Sequence, residues 1–437
     1  MLKKMRLPRV PLIFTLSAGV GLVTGIAAAL LKRGIAALSG FLTSAFSATG
    51  ANPWMLLLPF AGIILTALFC RYVLRADIAH GVRRLVADLR RRFYRLPASQ
   101  MISYLIASTL TLGFGGSAGS EGPIASTGAA IGSNVGRRFG LSPSMMKVMV
   151  ACGAGAGIAA IFRAPIGGAV FVFEVLQVGI TTMSVLALLA TCLVAALTAY
   201  VLGGCVIDLP FNQAVAPFHE FSWLWLIALG IFCGLYSEYY NCIMRLVERL
   251  LLSLGRPLRR VLAGAAIVGI LVFLFPALYG EGYGVIGRIV NGDASSLLAG
   301  SPLALALAGR GVSAPWVLAI VAAAVMLVKC FATSATNSGG GVAGDFAPTL
   351  FAGAVVGLCF ATFANNLFDA GISPSDFALY AMAAVMAGTI RAPLMAIFLT
   401  VEMTASYPYL LPLTIAAGIS FGVVRIFHSR SFYYTRI

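Results

Sequence analysis

Four carboxylates stand in surroundings that are otherwise apolar or rich in glycine: Glu121, Glu174, Asp345 and Glu402. An acid at the centre of a membrane helix costs about 2.5–3.5 kcal/mol on insertion scales, so each needs a partner or a task. Glu121 lies in Gly115-Gly-Ser-Ala-Gly-Ser-Glu121-Gly-Pro123, and Asp345 in Gly339-Gly-Gly-Val-Ala-Gly-Asp345-Phe-Ala-Pro348. Each is a glycine-rich break followed by a proline and a fresh apolar run. Glycine lets backbone amides approach a ligand closely, and proline marks the first turn of a helix. A helix N-terminus offers unpaired N–H groups and about half a positive charge, which suits a small anion. Two such termini facing each other would hold an anion without a full positive charge, leaving it free to depart. The competing use of these glycines is close packing of helices.

The other two carboxylates sit in a repeated segment. Arg163-Ala-Pro-Ile-Gly-Gly-Ala-Val-Phe-Val-Phe-Glu174 matches Arg391-Ala-Pro-Leu-Met-Ala-Ile-Phe-Leu-Thr-Val-Glu402 without a gap, at an offset of 228 residues. Gly119 to Pro123, followed by Gly128 and Gly132, aligns with Gly344 to Pro348, followed by Gly353 and Gly357, at an offset of 225. Two matches at nearly one offset indicate an internal duplication, with halves near 1–215 and 220–437. Duplicated membrane halves are commonly inverted, with sites at their interface near the midplane. Glu174 and Glu402 then read as helix caps or as partners of buried donors such as Arg163 and Arg391.

The elements that position these residues are apolar. Hydrophobic residues make up 60% of the 437 and charged ones 10%, against roughly 45–50% and 25% in soluble domains. Val10–Leu31, Met55–Cys70, Val185–Val201, Phe221–Tyr236, Val261–Leu278 and Trp316–Val328 are long apolar runs. A spanning helix needs about 20 such residues. Shorter or interrupted runs predict tilted or re-entrant helices whose breaks lie inside protein. Lipid is therefore the solvent for most of the chain.

The net charge of +16 is gathered in short segments: Lys3–Arg9, Arg71–Arg95, Arg137–Lys147, Arg245–Arg260 and Arg425–Arg436. That pattern follows the positive-inside rule and argues against nucleic acid as a partner. It places both termini in the cytoplasm. The segment Met1–Leu31 has a signal-like basic start, but Arg33 and further spans follow, so an uncleaved first helix is expected. Eight cysteines without a CxxC pair give no disulfide framework and no metal site. Neither HExxH nor a paired aspartate motif supports an intramembrane enzyme.

From about Leu16 to Tyr434 the chain resembles the CLC chloride channels and chloride/proton exchangers. Ser120-Glu121-Gly122-Pro123 is similar to the family's G(K/R)EGP element, Gly344-Asp345-Phe346-Ala347-Pro348 to its GxFxP element, and both RAP segments match. The resemblance implies an all-α integral membrane protein of two inverted repeat halves, with about eighteen helices, some re-entrant or tilted. It implies that Glu121 is the gating glutamate. It also implies that backbone around Ser120, Glu121, Gly122, Asp345, Phe346 and Ala347 binds the anion, and that Tyr434 is the pore tyrosine.

Three departures stand out. His80 occupies the place of the family's pore serine, Ser120 replaces a basic residue, and Val175 replaces the exchangers' internal proton acceptor. The last favours a glutamate-gated chloride channel over a chloride/proton antiporter, with a carrier for another anion more remote. The resemblance further implies a homodimer in a bacterial inner membrane, with chloride and the bilayer as partners and no cofactor.

Overall fold

The computed structural model describes residues 9–44, 52–75, 81–179, 182–203, 209 and 222–427. Among them the first half gives α1 (Arg9–Thr43), α2 (Trp54–Leu68), α3 (Gly81–Arg90), α4 (Gln100–Gly113), α5 (Glu121–Arg138), α6 (Pro143–Phe162), α7 (Pro165–Glu174) and α8 (Thr182–Val201). The second half gives α9 (Ser222–Ser253), α10 (Pro257–Leu274), α11 (Tyr283–Val290), α12 (Ser295–Leu298), α13 (Pro302–Gly309) and α14 (Ala314–Ser338). It ends with α15 (Phe346–Phe368), α16 (Pro374–Ile390), α17 (Pro393–Thr404) and α18 (Leu410–Phe427). The described residues thus form an all-α protein of eighteen α-helices. Nine helical spans are long and apolar enough to cross a membrane, while α7 and α17 are shorter apolar helices.

Local sequence explains the recurring breaks. α6 and α16 end on Arg163 and Arg391, both left-handed at φ 52° and 63°. Ala164 and Ala392 then lie outside the α region, as expected of a residue before proline. Pro165 and Pro393 open α7 and α17, where a missing N–H leaves no carbonyl without its donor. The duplicated Arg-Ala-Pro is therefore a helix stop, a bend and a helix start.

The two copies meet directly. Glu174, at the end of α7, accepts the amides of Leu394 (3.2 Å) and Met395 (2.7 Å) in the first turn of α17. Glu402, near the end of α17, accepts those of Ile166 (3.1 Å) and Gly167 (2.7 Å) in the first turn of α7. Each helix caps the other, so the pair runs antiparallel about a local two-fold. The capping reading of these carboxylates holds. The arginines offered as alternative partners make other contacts: Arg391 pairs with Glu238 (3.3 Å) and Arg163 lies over the Tyr200 ring (4.6 Å).

α1 runs ten residues past Arg33, deeper than its apolar run. It tolerates the two adjacent cations because Lys32 pairs with Glu281 (2.6 Å) and Arg33 donates to the Leu202 carbonyl. Lys32 is buried and Arg33 exposed, so the ion pair matters more at Lys32. α5 packs on α6 and α15 on α16 with backbones in close approach. A Cβ at Gly128 would strike Gly153, and one at Gly353 would lie 2.6 Å from the Ala381 carbonyl oxygen. The packing reading therefore holds for the glycines inside these helices. The glycines of the breaks are crowded as well, Gly119 by Ala347 and Gly344 by Gly122 of the facing loop.

Candidate anion-binding site

The two glycine-rich breaks touch. Gly119 N donates to Gly344 O (2.9 Å) and Gly344 N to Gly119 O (2.5 Å), an isolated antiparallel bridge between equivalent residues of the two halves. A side chain does not fit there, since a Cβ on Gly344 would lie 2.6 Å from Gly122 N. Immediately after the bridge, α5 starts at Glu121 and α15 at Phe346. The first-turn amides of a helix have no carbonyl of their own helix to bond. At Glu121, Gly122, Phe346 and Ala347, two sets of such amides are brought to one crossing. Both N-terminal ends of the helix dipoles point there.

Glu121 is fully buried at this crossing. Its Oε1 accepts the Tyr283 hydroxyl at 2.5 Å. Its Oε2 has no hydrogen-bond partner among the described residues and lies 2.0 Å from where a Cβ on Gly119 would be and 3.2 Å from one on Gly344. The carboxyl thus occupies the space that the missing side chains of these two glycines leave between the loops. Ser120, the N-cap of α5, donates from N (3.1 Å) and Oγ (2.5 Å) to Glu281 Oε1. Glu281 Oε2 takes the Lys32 ammonium, which also sits 4.7 Å from the centroid of the Tyr283 ring.

Below the other break, Asp345 is the N-cap of α15, and its Oδ1 accepts Asn337 Nδ2 (2.7 Å). The carboxylate is therefore tied back to α14. Phe346 is buried with its ring edge-on to Phe171, centroids 5.7 Å apart. Ala347 packs beside Gly119. Val175 is buried at the end of α7 with no ionisable group, and its neighbour Glu174 is spent as a cap. His80 and Tyr434 lie outside the described residues.

Ser120, Glu121, Gly122, Asp345, Phe346 and Ala347 are thus brought close to one another. Four residues near them were missed: Lys32, Glu281, Tyr283 and Lys329. Lys329 is fully buried in α14, donates to Ser117 Oγ (2.8 Å) and stands 4.8 Å from the Phe351 ring centroid. A lysine inside an apolar run is as costly as the carboxylates and is the signal that could have found it, and Lys32 with it. Among the described residues no group of three metal-ligating side chains converges.

Comparison with known proteins agrees with this geometry. The family described as voltage gated chloride channel matches residues 61–425. A putative ClcB-like chloride channel protein of Ralstonia nicotianae is 32% identical over 383 residues, 84% of this chain and 82% of that protein. The ClcB voltage-gated ClC-type chloride channel of Escherichia coli is 29% identical over 75% of this chain and 73% of its own length. A slow cyanobacterial Cl−/H+ antiporter has the same fold, with a TM-score of 0.80 and 24% identity over 96% of each chain. A CLC-type fluoride/proton antiporter follows at 0.76 and 22% over 97% of each. A family match across most of the chain, and duplicated breaks that meet at Gly119 and Gly344, make this integral membrane protein a member of the voltage gated chloride channel (CLC) family.

Proposed function

We propose that this protein lets chloride cross the membrane passively, with the Glu121 carboxyl as its gate. The observation that carries the reading is the crossing at Gly119 and Gly344, where two helix N-termini converge and a buried carboxyl occupies the gap. Amides of Glu121, Gly122, Phe346 and Ala347 supply partial positive charge for a dehydrated anion, and a carboxylate in the same space competes with it. Ser120 and Asp345 stand at the N-cap positions of α5 and α15, next to those amides. His80 and Tyr434 complete the anion path in this proposal, as the resemblance implies. The chloride-channel names of the Ralstonia nicotianae and Escherichia coli relatives support chloride as substrate.

Passive flow is favoured because the interior proton-acceptor position holds Val175 and the adjacent Glu174 is occupied by two amides. A second reading, chloride/proton antiport, draws on the titratable cluster of Glu121, Tyr283, Glu281 and Lys32, which could load and release a proton. A carrier for larger carboxylates would want an arginine at the crossing, and both Arg163 and Arg391 sit at helix ends instead. The proposal includes a homodimer with one pathway per subunit, a bacterial inner membrane and cytoplasmic termini.

The test is chloride efflux from proteoliposomes with external pH recorded at the same time, for the wild type and Glu121→Gln. Chloride flux without uphill proton movement, altered by the substitution, is the expected result. Protons driven uphill by a chloride gradient would establish antiport. Flux and pH profile untouched by Glu121→Gln would remove Glu121 as the gate.

A further inference from the structure

We infer that Tyr283 is a positioning residue for the gate, held in place by a Lys32–Glu281 ion pair supplied from outside both repeated motifs. The inference rests on the reading of Glu121 as gate and adds what holds it. The Tyr283 hydroxyl donates to Glu121 Oε1 at 2.5 Å, the one hydrogen bond given to that carboxyl by another residue among the described residues. Tyr283 opens α11 directly after Gly280-Glu281-Gly282, a turn in which both glycines have positive φ, 67° and 83°. A Cβ on Gly282 would lie 2.5 Å from the Phe351 ring, so the turn is fixed by α15 as well as by its own backbone.

The same turn carries Glu281, which bonds Ser120 N and Oγ at the start of α5 and Lys32 on α1. Lys32 then closes the loop by standing over the Tyr283 ring. A cation over the ring face withdraws electron density and makes the phenol a better donor. One short turn therefore grips both residues at the entrance of α5: Glu281 the cap residue, Tyr283 the gate. Among the described residues, the charged or titratable groups acting on Glu121 are Tyr283 from α11, Glu281 from the turn, Lys32 from α1 and Lys329 from α14. Lys32 also stands in for the basic residue that Ser120 displaces, from a different helix and with its charge balanced by Glu281.

The consequence for gating has a sign. Flux rises as pH falls, because a protonated Glu121 no longer competes as an anion. The phenol donates to the carboxylate and favours its charged, blocking form. Tyr283→Phe removes that bond, so less acid is needed to open the gate and the pH of half-maximal flux moves up by about one unit, the scale of one hydrogen bond to a charged group. Glu281→Gln keeps an acceptor for Ser120 but removes a negative charge near the carboxylate, so its midpoint moves down.

The experiment measures chloride efflux against pH in proteoliposomes for wild type, Tyr283→Phe, Glu281→Gln, Glu121→Gln and the two double variants carrying Glu121→Gln. Opposite shifts in the two single variants, both abolished when Glu121 is Gln, are expected. A purely structural role for Tyr283 would lower the amount of functional protein without moving the midpoint. Midpoints equal to the wild type, alongside an altered Glu121→Gln, would overturn the inference while leaving the gate intact. A Glu121→Gln profile equal to the wild type would overturn the gate and this inference together. Should Tyr283→Phe not reconstitute, Tyr283→Leu, which also removes the hydroxyl, is measured in its place, with an upward midpoint shift expected and an unmoved midpoint overturning the inference.

Discussion

The Glu174 carboxylate accepts the Met395 amide at 2.7 Å, so the C-terminal end of one repeated helix closes the N-terminus of the other. Glu402 returns the contact to Gly167 at the same distance. The pair locks the two halves together through four amides without a cation. Glu174→Ala and Glu402→Ala are each expected to lower stability by about 1–2 kcal/mol, the range for loss of a side-chain N-cap. Thermal unfolding in detergent reads this out. Chloride flux per folded protein and its pH midpoint should stay at wild-type values. A moved midpoint in Glu174→Ala would place that carboxylate on a proton route and contradict its capping role.

Gly344 faces Gly122 across the bridge. Real Cβ atoms do not approach a backbone nitrogen to the 2.6 Å that Gly344→Ala would demand, so one of the two loops must move. Overpacking of this kind costs about 1–3 kcal/mol. The larger effect is expected on function, because the shifted atoms are the amides proposed to hold the anion. Chloride flux should fall at least about tenfold, as a misplacement near 1 Å can cost a hundredfold at a preorganised site. Gly284→Ala is the control, since a Cβ there meets nothing within 4 Å. Equal flux in the two variants would show that the bridge does not shape the pathway.

What could be read from the sequence divides along physical lines. The breaks around Glu121 and Asp345 and the duplicated Arg-Ala-Pro segments are local patterns, and glycine, proline and a buried acid each have few reasons to be where they are. Their duplication also told which residues would meet, because a two-fold brings equivalent positions together. Tyr283 and Glu281 have no counterpart in the first half. They reach Glu121 and Ser120 across more than 160 residues of chain, through a turn whose placement depends on Phe351 and α1. No periodicity encodes such a contact. Lys32 and Lys329 could have been found, since an ammonium in an apolar helix raises the same question as a carboxylate. The two positions taken from the resemblance alone, His80 and Tyr434, lie outside the described residues.

Arg83 and Glu248 join α3 to α9. One Nη of the guanidinium reaches both carboxylate oxygens, at 3.1 and 3.2 Å, and the arginine is largely buried. Removing one partner of a fully buried pair costs about 3–5 kcal/mol. Glu248 retains some exposure, so solvent screening reduces the figure here to roughly 1–3 kcal/mol. Arg83→Ala is expected to lower the unfolding temperature, and Glu248→Gln to do so less. In a double-mutant cycle the two effects should be less than additive. Full additivity would mean that the pair contributes nothing as a pair.

Lys329 carries the remaining prediction. Its ammonium is buried in α14 with Ser117 as its hydrogen-bonding partner, and Ser117 belongs to the same glycine-rich break as Glu121. When protonated, an ammonium this deep calls for an anionic charge nearby, and the candidates are the Glu121 carboxylate and the transported anion. A unit charge within about 10 Å of an anion, at an effective dielectric near 20, contributes on the order of 1–2 kcal/mol. Lys329→Met keeps the length of the side chain and removes the charge. Chloride binding, followed by calorimetry in detergent at a pH that keeps Glu121 protonated, should weaken about five- to thirtyfold. Lys329→Arg should recover most of the loss. A purely packing defect would appear in both substitutions. Unchanged chloride affinity in Lys329→Met would confine the lysine to holding the break through Ser117.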